Sequence, residues 1–207
     1  MTKQSLALAE AAAAFPTATL FEANRQQGAL PSAIKPAVPG MRLSGRAFTV
    51  QGPPGDNLWL HRGIAEASPG DVLVCHVGNH HEAGYWGEIM STAAQRRGLA
   101  GVVIDGCVRD ATLLAEIGFP VFARGLCIRG TGKDKEARGA LGTPIVIGAV
   151  EIHTGDIVVG DGDGVVVIRH DWAARTIAAA REREDKEAEV IRQLHAGRTT
   201  VELFGLA

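Results

Sequence analysis

Aromatic residues are scarce, at 5% of 207 positions, whereas glycine occurs 26 times. A chain so composed relies on tight turns and close backbone approaches. Neither sign of charge is in excess: 21 basic against 23 acidic residues leave a formal net charge of −2. That excludes the basic footprint expected of a nucleic-acid or anionic-membrane partner. Cysteine is rare, and Cys75, Cys107 and Cys127 form no CxxC pair. A disulfide framework and a zinc knuckle are thereby excluded, and a reducing cytoplasm is the expected compartment. The N-terminus has no charged-then-apolar signal segment, and no apolar run approaches the length of a membrane span. Internal repeats and dividing linkers are also missing, so residues 1–207 read as a single domain.

What is present is a layered α/β pattern. Residues 4–14 are Ala-rich and read as a helix ending before Pro16; residues 17–28 read as a second helix stopped by Gly28. Pro31, Pro36 and Pro39 mark an extended connector. Strands are expected at 43–50, 71–76, 101–105 and 120–123, with helices at 58–66, in the segment before Gly98, and at 111–117. Residues 124–142 read as irregular, and 144–153 return to β character. Residues 156–168 form a hairpin, because Asp-Gly supplies the positive φ its turn needs. A long helix over 171–196 carries alternating charges suited to a solvated face. Beyond it, apolar Leu203, Phe204 and Leu206 suit packing on a neighbouring subunit.

The stretch 84–110, GYWGEIMSTAAQRRGLAGVVIDGCVRD, concentrates the chemistry. Trp86, Ile89, Met90, Ala93 and Ala94 have the spacing of one apolar helix face. Gly98 stops that helix, and 101–105 reads as a fully buried strand. Arg109-Asp110 follows, with Asp110 placed to cap the next helix. A helix start with a carboxylate and a guanidinium, just past a strand's carboxyl end, is where layered α/β proteins bind ligands. On spacing alone such a pair is usually a helix cap with an ion-paired neighbour, since caps favour Asp so strongly. Glu88 fits either a capping residue or a poised acid or base, and Gly87 permits close approach by a ligand. Asn57 and His61, four residues apart, share a helix face that borders a pocket, caps the helix or packs.

Other chemistries fail on inspection. Adjacent His80 and His81 point in opposite directions, and no third ligand is spaced to join them with Glu82. Gly130-Thr-Gly-Lys133 lacks the phosphate-loop spacing, because Asp134 stands where a Ser or Thr is required. The Asp/Gly run at 161–164 lacks a bidentate Glu for calcium. No GxSxG elbow supports a serine nucleophile. The lysines (Lys3, Lys35, Lys133, Lys135 and Lys186) lie in polar surroundings that would not lower a lysine pKa for Schiff-base chemistry.

The segments GDNLWLHRGIAEASPGDVLV, EAGYWGEIMSTAAQRRGLAGVVIDGCVRD, FPVFARGLCIRGT and HTGDIVVGDGDGVVVI together resemble a known family. It comprises the 4-hydroxy-4-methyl-2-oxoglutarate and 4-carboxy-4-hydroxy-2-oxoadipate aldolases. These are metal-dependent class II pyruvate aldolases that share the fold of the regulator of ribonuclease E activity A. The resemblance covers residues 17–207 and is most specific in the GEIM…DGCVRD block. It implies a single-domain α/β fold, a β/β/α sandwich of the swivelling-domain type, with a C-terminal helix over 171–196 at the subunit interface of a homotrimer or homohexamer.

The resemblance also implies roles. Asp110 is the side-chain ligand to Mg²⁺ or Mn²⁺. Arg109 holds the pyruvyl oxygen and stabilises the enolate. Backbone amides of Gly87, Glu88, Ile89 and Met90 bind the carboxylate of a 2-oxo acid substrate, and Glu88 orients water at the metal. A glutamate arrives from the C-terminal helix of an adjacent subunit, where Glu184, Glu187 and Glu189 compete and Glu187 is favoured. The expected reaction is retro-aldol cleavage to pyruvate and a second oxo acid, with oxaloacetate decarboxylation as a second activity. The competing reading is a non-catalytic, protein-binding regulator of ribonuclease activity on the same fold. Arg124, Arg129, Arg62 and His61 are all candidates to bind a distal carboxylate on the substrate's C4.

Overall fold

The computed structural model describes residues 3–206. Helices α1 (Lys3–Ala12) and α2 (Thr17–Ala23) lead through a two-residue strand, β1 (Lys35–Pro36), into the central sheet. There β2 (Leu43–Gln51), α3 (Leu58–Glu66), β3 (Asp71–His76), α4 (Glu88–Arg96), β4 (Gly101–Val108), α5 (Ala111–Ile117) and β5 (Val121–Leu126) alternate. A helix between strands returns the chain to the edge where the last strand began, so successive strands pair in parallel. β2 to β5 do so as nearest neighbours, Arg46 opposite Asp71 and Val72 opposite Gly101. β6 (Ala140–Leu141), β7 (Ile145–Ile147), β8 (Val150–Ile152), β9 (Ile157–Asp161), β10 (Gly164–Ile168), α6 (Ala173–His195) and α7 (Thr200–Phe204) follow.

β9 pairs antiparallel with β2, β10 with β9, and β1 with β5 at the far edge. Just before β1, Leu30 N–H donates to Val165 O on β10 at 3.0 Å, and Lys35 Nζ donates to Asp163 O at 2.5 Å. One short run of chain therefore touches both ends of the sheet, which curls most of the way to a barrel.

The two faces bury different partners. On one, Leu60, Met90, Ala94 and Leu114 of α3–α5 pack on Leu73, Val102 and Ile104. On the other, Val74, Val103, Phe122 and Val158 are covered by Ile145, Ile147 and Ile152 of the β7–β8 hairpin. This is the mixed α/β arrangement expected, with helices against one face and a small second sheet against the other. A third cluster joins α1, α2 and α6 to β9–β10 through Ala12, Leu20, Ile177 and Val166. Among the described residues no helix is long and apolar enough to cross a membrane.

Several boundaries differ from the sequence expectation. α2 ends at Ala23 rather than running to Gly28, because Arg25 and Gln26 take left-handed φ values of 58° and 56°. β4 continues past Asp105 to Val108 across an irregularity between Ile104 and Cys107. Residues 144–153 turn back on themselves as β7–β8, and the hairpin over 156–168 has its positive φ at Gly164 (142°). The tail after α6 contains α7, whose start is closed by a reciprocal Thr199–Glu202 capping box.

Candidate active site

The site forms where the end of β4 meets the chain entering α4. Tyr85 N–H donates to Cys107 O at 3.0 Å and Arg109 N–H to Trp86 O at 2.9 Å, so residues 84–87 run as an extra rung along β4. Trp86 anchors that rung. It is buried, its Nε1–H donates to Ser91 Oγ at 2.7 Å, and its ring stacks on Phe119 with centroids 6.1 Å apart. Because Trp86 precedes the helix, the apolar face differs from the expected one. Met90, Ser91 and Ala94 are buried, whereas Ala93 is exposed and Ile89 is 77% exposed.

Asp110 corrects a second expectation. It stands at the N-cap position of α5 but makes no side-chain capping bond. Its backbone is left-handed (φ 65°, ψ 36°), which costs an ordinary L-residue roughly 1–2 kcal/mol. Asp110 Oδ2 instead accepts the N–H of Glu88, at the start of α4, at 3.2 Å, and lies 3.8 Å from Arg109 Nε. A Cβ at position 87 would sit 2.3 Å from that oxygen, and one at position 84 would sit 3.1 Å from Arg109 Cδ. Both glycines are needed for the close approach of Arg109-Asp110 to residues 84–87.

A cleft of about 230 Å³ brings together Gly87, Glu88, Ile89, Met90, Arg109 and Asp110, all of them expected site residues. Glu187 is not among them. It pairs with Arg183 at 2.8 Å and borders a separate groove beside Val190, Ile191 and Phe204. Asn57 and His61 line the cleft, which decides their open reading in favour of a pocket border. Lys133 lines it as well and was missed. No local pattern marks it, because long-range bonds bring it there: Asn57 N–H donates to Gly132 O at 3.2 Å, and Gly132 N–H to Gly55 O at 2.8 Å.

These three residues give the cleft wall its polarity. Asn57 Nδ2 donates to Tyr85 O at 2.9 Å and contacts Met90 Sδ at 3.5 Å, which fixes the amide's orientation. Its Oδ1 is buried without a hydrogen-bond partner among the described residues. Burial holds the His61 imidazole below its ordinary pKa, the nearby Lys133 ammonium adds to that, and Asp56 partly opposes it. His61 is therefore neutral at pH 7. Three of the proposed anion binders are engaged elsewhere. Arg124 Nε bonds Asp105 Oδ1 at 2.5 Å, Arg129 pairs with Glu82 at 3.0 Å, and Arg62 lies over the Trp59 ring at 4.5 Å. Lys133 has no ion pair among the described residues.

The donor set suits a hard divalent cation held mainly by substrate and solvent. No group of three or more His, Cys, Asp or Glu that could hold a metal occurs among the described residues. Asp110 offers one partly exposed carboxylate whose only hydrogen bond among the described residues uses Oδ2. A single carboxylate completed by substrate oxygens is a common way of holding Mg²⁺. A larger cleft of about 550 Å³ lies between α2, β8 and β10. Its charged residues are matched already, Arg169 leaning on Asp156 at 3.8 Å and Glu151 on His153 at 3.3 Å.

The sequence model of the RraA-like family, described as Aldolase/RraA, matches residues 17–167. The chain belongs to the RraA-like family. A relative from Halalkalibacterium halodurans, named "Putative 4-hydroxy-4-methyl-2-oxoglutarate aldolase", is 36% identical over 174 residues, 84% of this chain and 82% of that one. An uncharacterized protein from Pseudomonas syringae pv. tomato has the same fold, with a TM-score of 0.84 at 31% identity over 100% of this chain and 95% of its own. The RNA-processing inhibitor RraA from Thermus thermophilis aligns with a TM-score of 0.66 at 27% identity, over 74% of this chain and 92% of its own. The RraA-like family thus sets relatives bearing an aldolase name beside an inhibitor of RNA processing. The matched region runs from α2 into β10 and contains every residue of the cleft.

Proposed function

We propose that this RraA-like protein is a divalent-metal-dependent lyase that cleaves a 4-hydroxy-2-oxo acid by a retro-aldol reaction, releasing pyruvate and a second oxo acid. One observation carries the reading. The chain holds Asp110 in a left-handed conformation that denies α5 its cap and sets the carboxylate beside Arg109 at the first turn of α4. Strain of this kind persists where function requires it.

Mg²⁺ or Mn²⁺, held by Asp110, would supply a Lewis acid for the keto oxygen of a chelated 2-oxo acid. The protein's own groups do the rest. Glu88 N–H already serves Asp110, so the substrate carboxylate falls to the first-turn amides of Ile89 and Met90 and to Gly87. The Arg109 guanidinium faces the keto oxygen and stabilises its negative charge as the C3–C4 bond breaks. The C4 hydroxyl proton must leave at the same step and a proton must then reach C3 to give pyruvate; Glu88 and neutral His61 are the cleft groups able to receive the one and return the other. Lys133 binds an anionic substituent on C4. The same charge on the keto oxygen forms when oxaloacetate loses CO₂, so decarboxylation is expected as a second activity. Glu187 takes part from a second copy in a homotrimer or homohexamer.

The test measures pyruvate release from 4-carboxy-4-hydroxy-2-oxoadipate and from oxaloacetate, with Mg²⁺ or with EDTA, for wild type and Asp110→Ala. We expect turnover that EDTA abolishes and the variant lacks. Folded, metal-supplied wild-type protein that turns over neither compound would move the reading to a non-catalytic, protein-binding regulator on the fold shared with the Thermus neighbour, which is named an RNA-processing inhibitor.

A further inference from the structure

Lys133 stands in an irregular segment between β5 and β6, and exposed irregular loops do not hold a long side chain in place by themselves. The contacts that fix this loop beside Lys133 converge on residues 55–57: the two backbone bonds of Gly132, and the side chain of Asp56, which is 5% exposed. Asp56 Oδ1 accepts the N–H of Leu58, the first residue of α3, at 2.8 Å. Its other oxygen, Oδ2, accepts the N–H of Asp134, the residue after Lys133, at 2.6 Å. One buried carboxylate therefore ties the start of the helix that carries His61 to the loop that carries Lys133. Gly132 leaves the room this needs, since a Cβ there would stand 3.1 Å from Oδ2. Charge-assisted bonds to backbone N–H groups are short and strong, and a buried carboxylate without them would be costly.

We propose that Asp56 is the positioning residue that locks Lys133 over the cleft, so that the enzyme's grip on an anionic C4 substituent depends on Asp56 although Asp56 touches no substrate. This rests on the lyase reading and on Lys133 as the binder of that anion. The competing role is a plain turn contact leading into α3, from Leu58 N–H to Asp56 Oδ1, which would affect folding without acting through Lys133.

Asp56→Asn separates the two. Asparagine closes a turn onto the N–H two residues on as aspartate does, but it retains only one acceptor oxygen. With that oxygen on Leu58, an NH₂ group faces the N–H of Asp134, and the part of the loop after Gly132 loses its tie while the Gly132 backbone bonds remain. With 4-carboxy-4-hydroxy-2-oxoadipate, KM should rise roughly ten- to a hundredfold, the loss expected of a charged hydrogen bond, while kcat changes little. Lys133→Met should raise KM by a similar factor, and adding Asp56→Asn to it should cost nothing more. Gly132→Ala, which crowds Oδ2 and leaves the bond to Leu58 alone, should show the same dependence on Lys133. Losses that multiply in the double variants, or a fall in kcat with KM unchanged, would overturn the proposal and leave the lyase reading intact. A wild type without turnover would remove both.

Discussion

At the scale of single residues, the site depends on the absence of a side chain at position 87. Gly87 has an extended backbone (φ −162°), which any residue can adopt, so its importance lies in space rather than conformational freedom. A methyl group there would overlap Asp110 Oδ2 at 2.3 Å. The carboxylate would have to leave the Glu88 N–H and move off its position beside Arg109. Gly87→Ala should therefore fold normally, yet lose at least about tenfold in metal affinity, as misplaced metal ligands and their supports typically do. Titration with Mn²⁺ followed by its paramagnetic signal measures this without reference to turnover, and unchanged affinity would show that Asp110 does not depend on the gap. Sequence alone marks Gly87 only as permissive. Which atom fills the space is knowable only once Asp110 has been turned by its left-handed backbone, and nothing in the local pattern RDATLL announces that turn. Aspartate before such a run reads as a cap, and the cap reading failed for that reason.

At the scale of elements, β4 has to do two jobs: bury its first half between β3 and β5, and deliver Arg109 and Asp110 at its end. The valine and isoleucine run over 102–104 makes the buried half legible, since only a strand with neighbours on both sides hides every residue. The delivery is not legible, because it depends on the irregularity after Ile104 and on a buried ion pair beside it. Asp105 is 3% exposed, and Arg124 on β5 bonds it at 2.5 Å. His76 Nδ1 lies 3.4 Å from the other oxygen but is poorly directed for a hydrogen bond, so Arg124 is the firmer partner.

Burial alone would raise the Asp105 pKa, but the facing His76 ring and the bonded Arg124 guanidinium outweigh it and the net shift is downward. A carboxylate whose folded pKa lies below its unfolded value contributes stability above that unfolded value, about 3.8 here, and loses it as pH falls through the folded value. Arg124→Ala should leave a buried charge unpaired and cost about 3 kcal/mol or more at pH 7, a drop of roughly 6–12 °C in melting temperature for a chain this long. In the variant, where burial is less opposed, Asp105 takes up its proton at a higher pH than in wild type, so thermal melts from pH 7 down to pH 3 should show the gap starting to narrow above the unfolded value and closing further below it, as wild type loses its own contribution. A gap that stayed constant to pH 3 would mean that Arg124 stabilises β5 by packing alone.

At the scale of the molecule, the alternation of strand and helix from β2 to β5 was readable, because hydrophobic period and glycine stops mark each element locally. The closure of the sheet was not, since the chain around β1 meets β5 and the start of β10 across more than 80 residues of sequence. The same limit hid Lys133. α6 carries Glu187 outside the cleft lining, in an ion pair with Arg183. Two apolar surfaces accompany this arrangement. Ile89 and Ile128, 77% and 93% exposed, lie on the α4 start and the segment after β5, and Phe204 and Leu206, 57% and 69% exposed, lie at the end of the chain. Large apolar side chains left this open suit contact between copies. If the C-terminal helix of one copy completes the cleft of another, damage to Asp110 and damage to Glu187 fall on different halves of a shared site. Asp110→Ala and Glu187→Ala chains, each inactive alone, should then recover part of the wild-type turnover when refolded together, because some mixed assemblies pair an intact cleft with an intact helix. Differently tagged chains that co-purify and yet stay inactive would show that Glu187 does not act across copies.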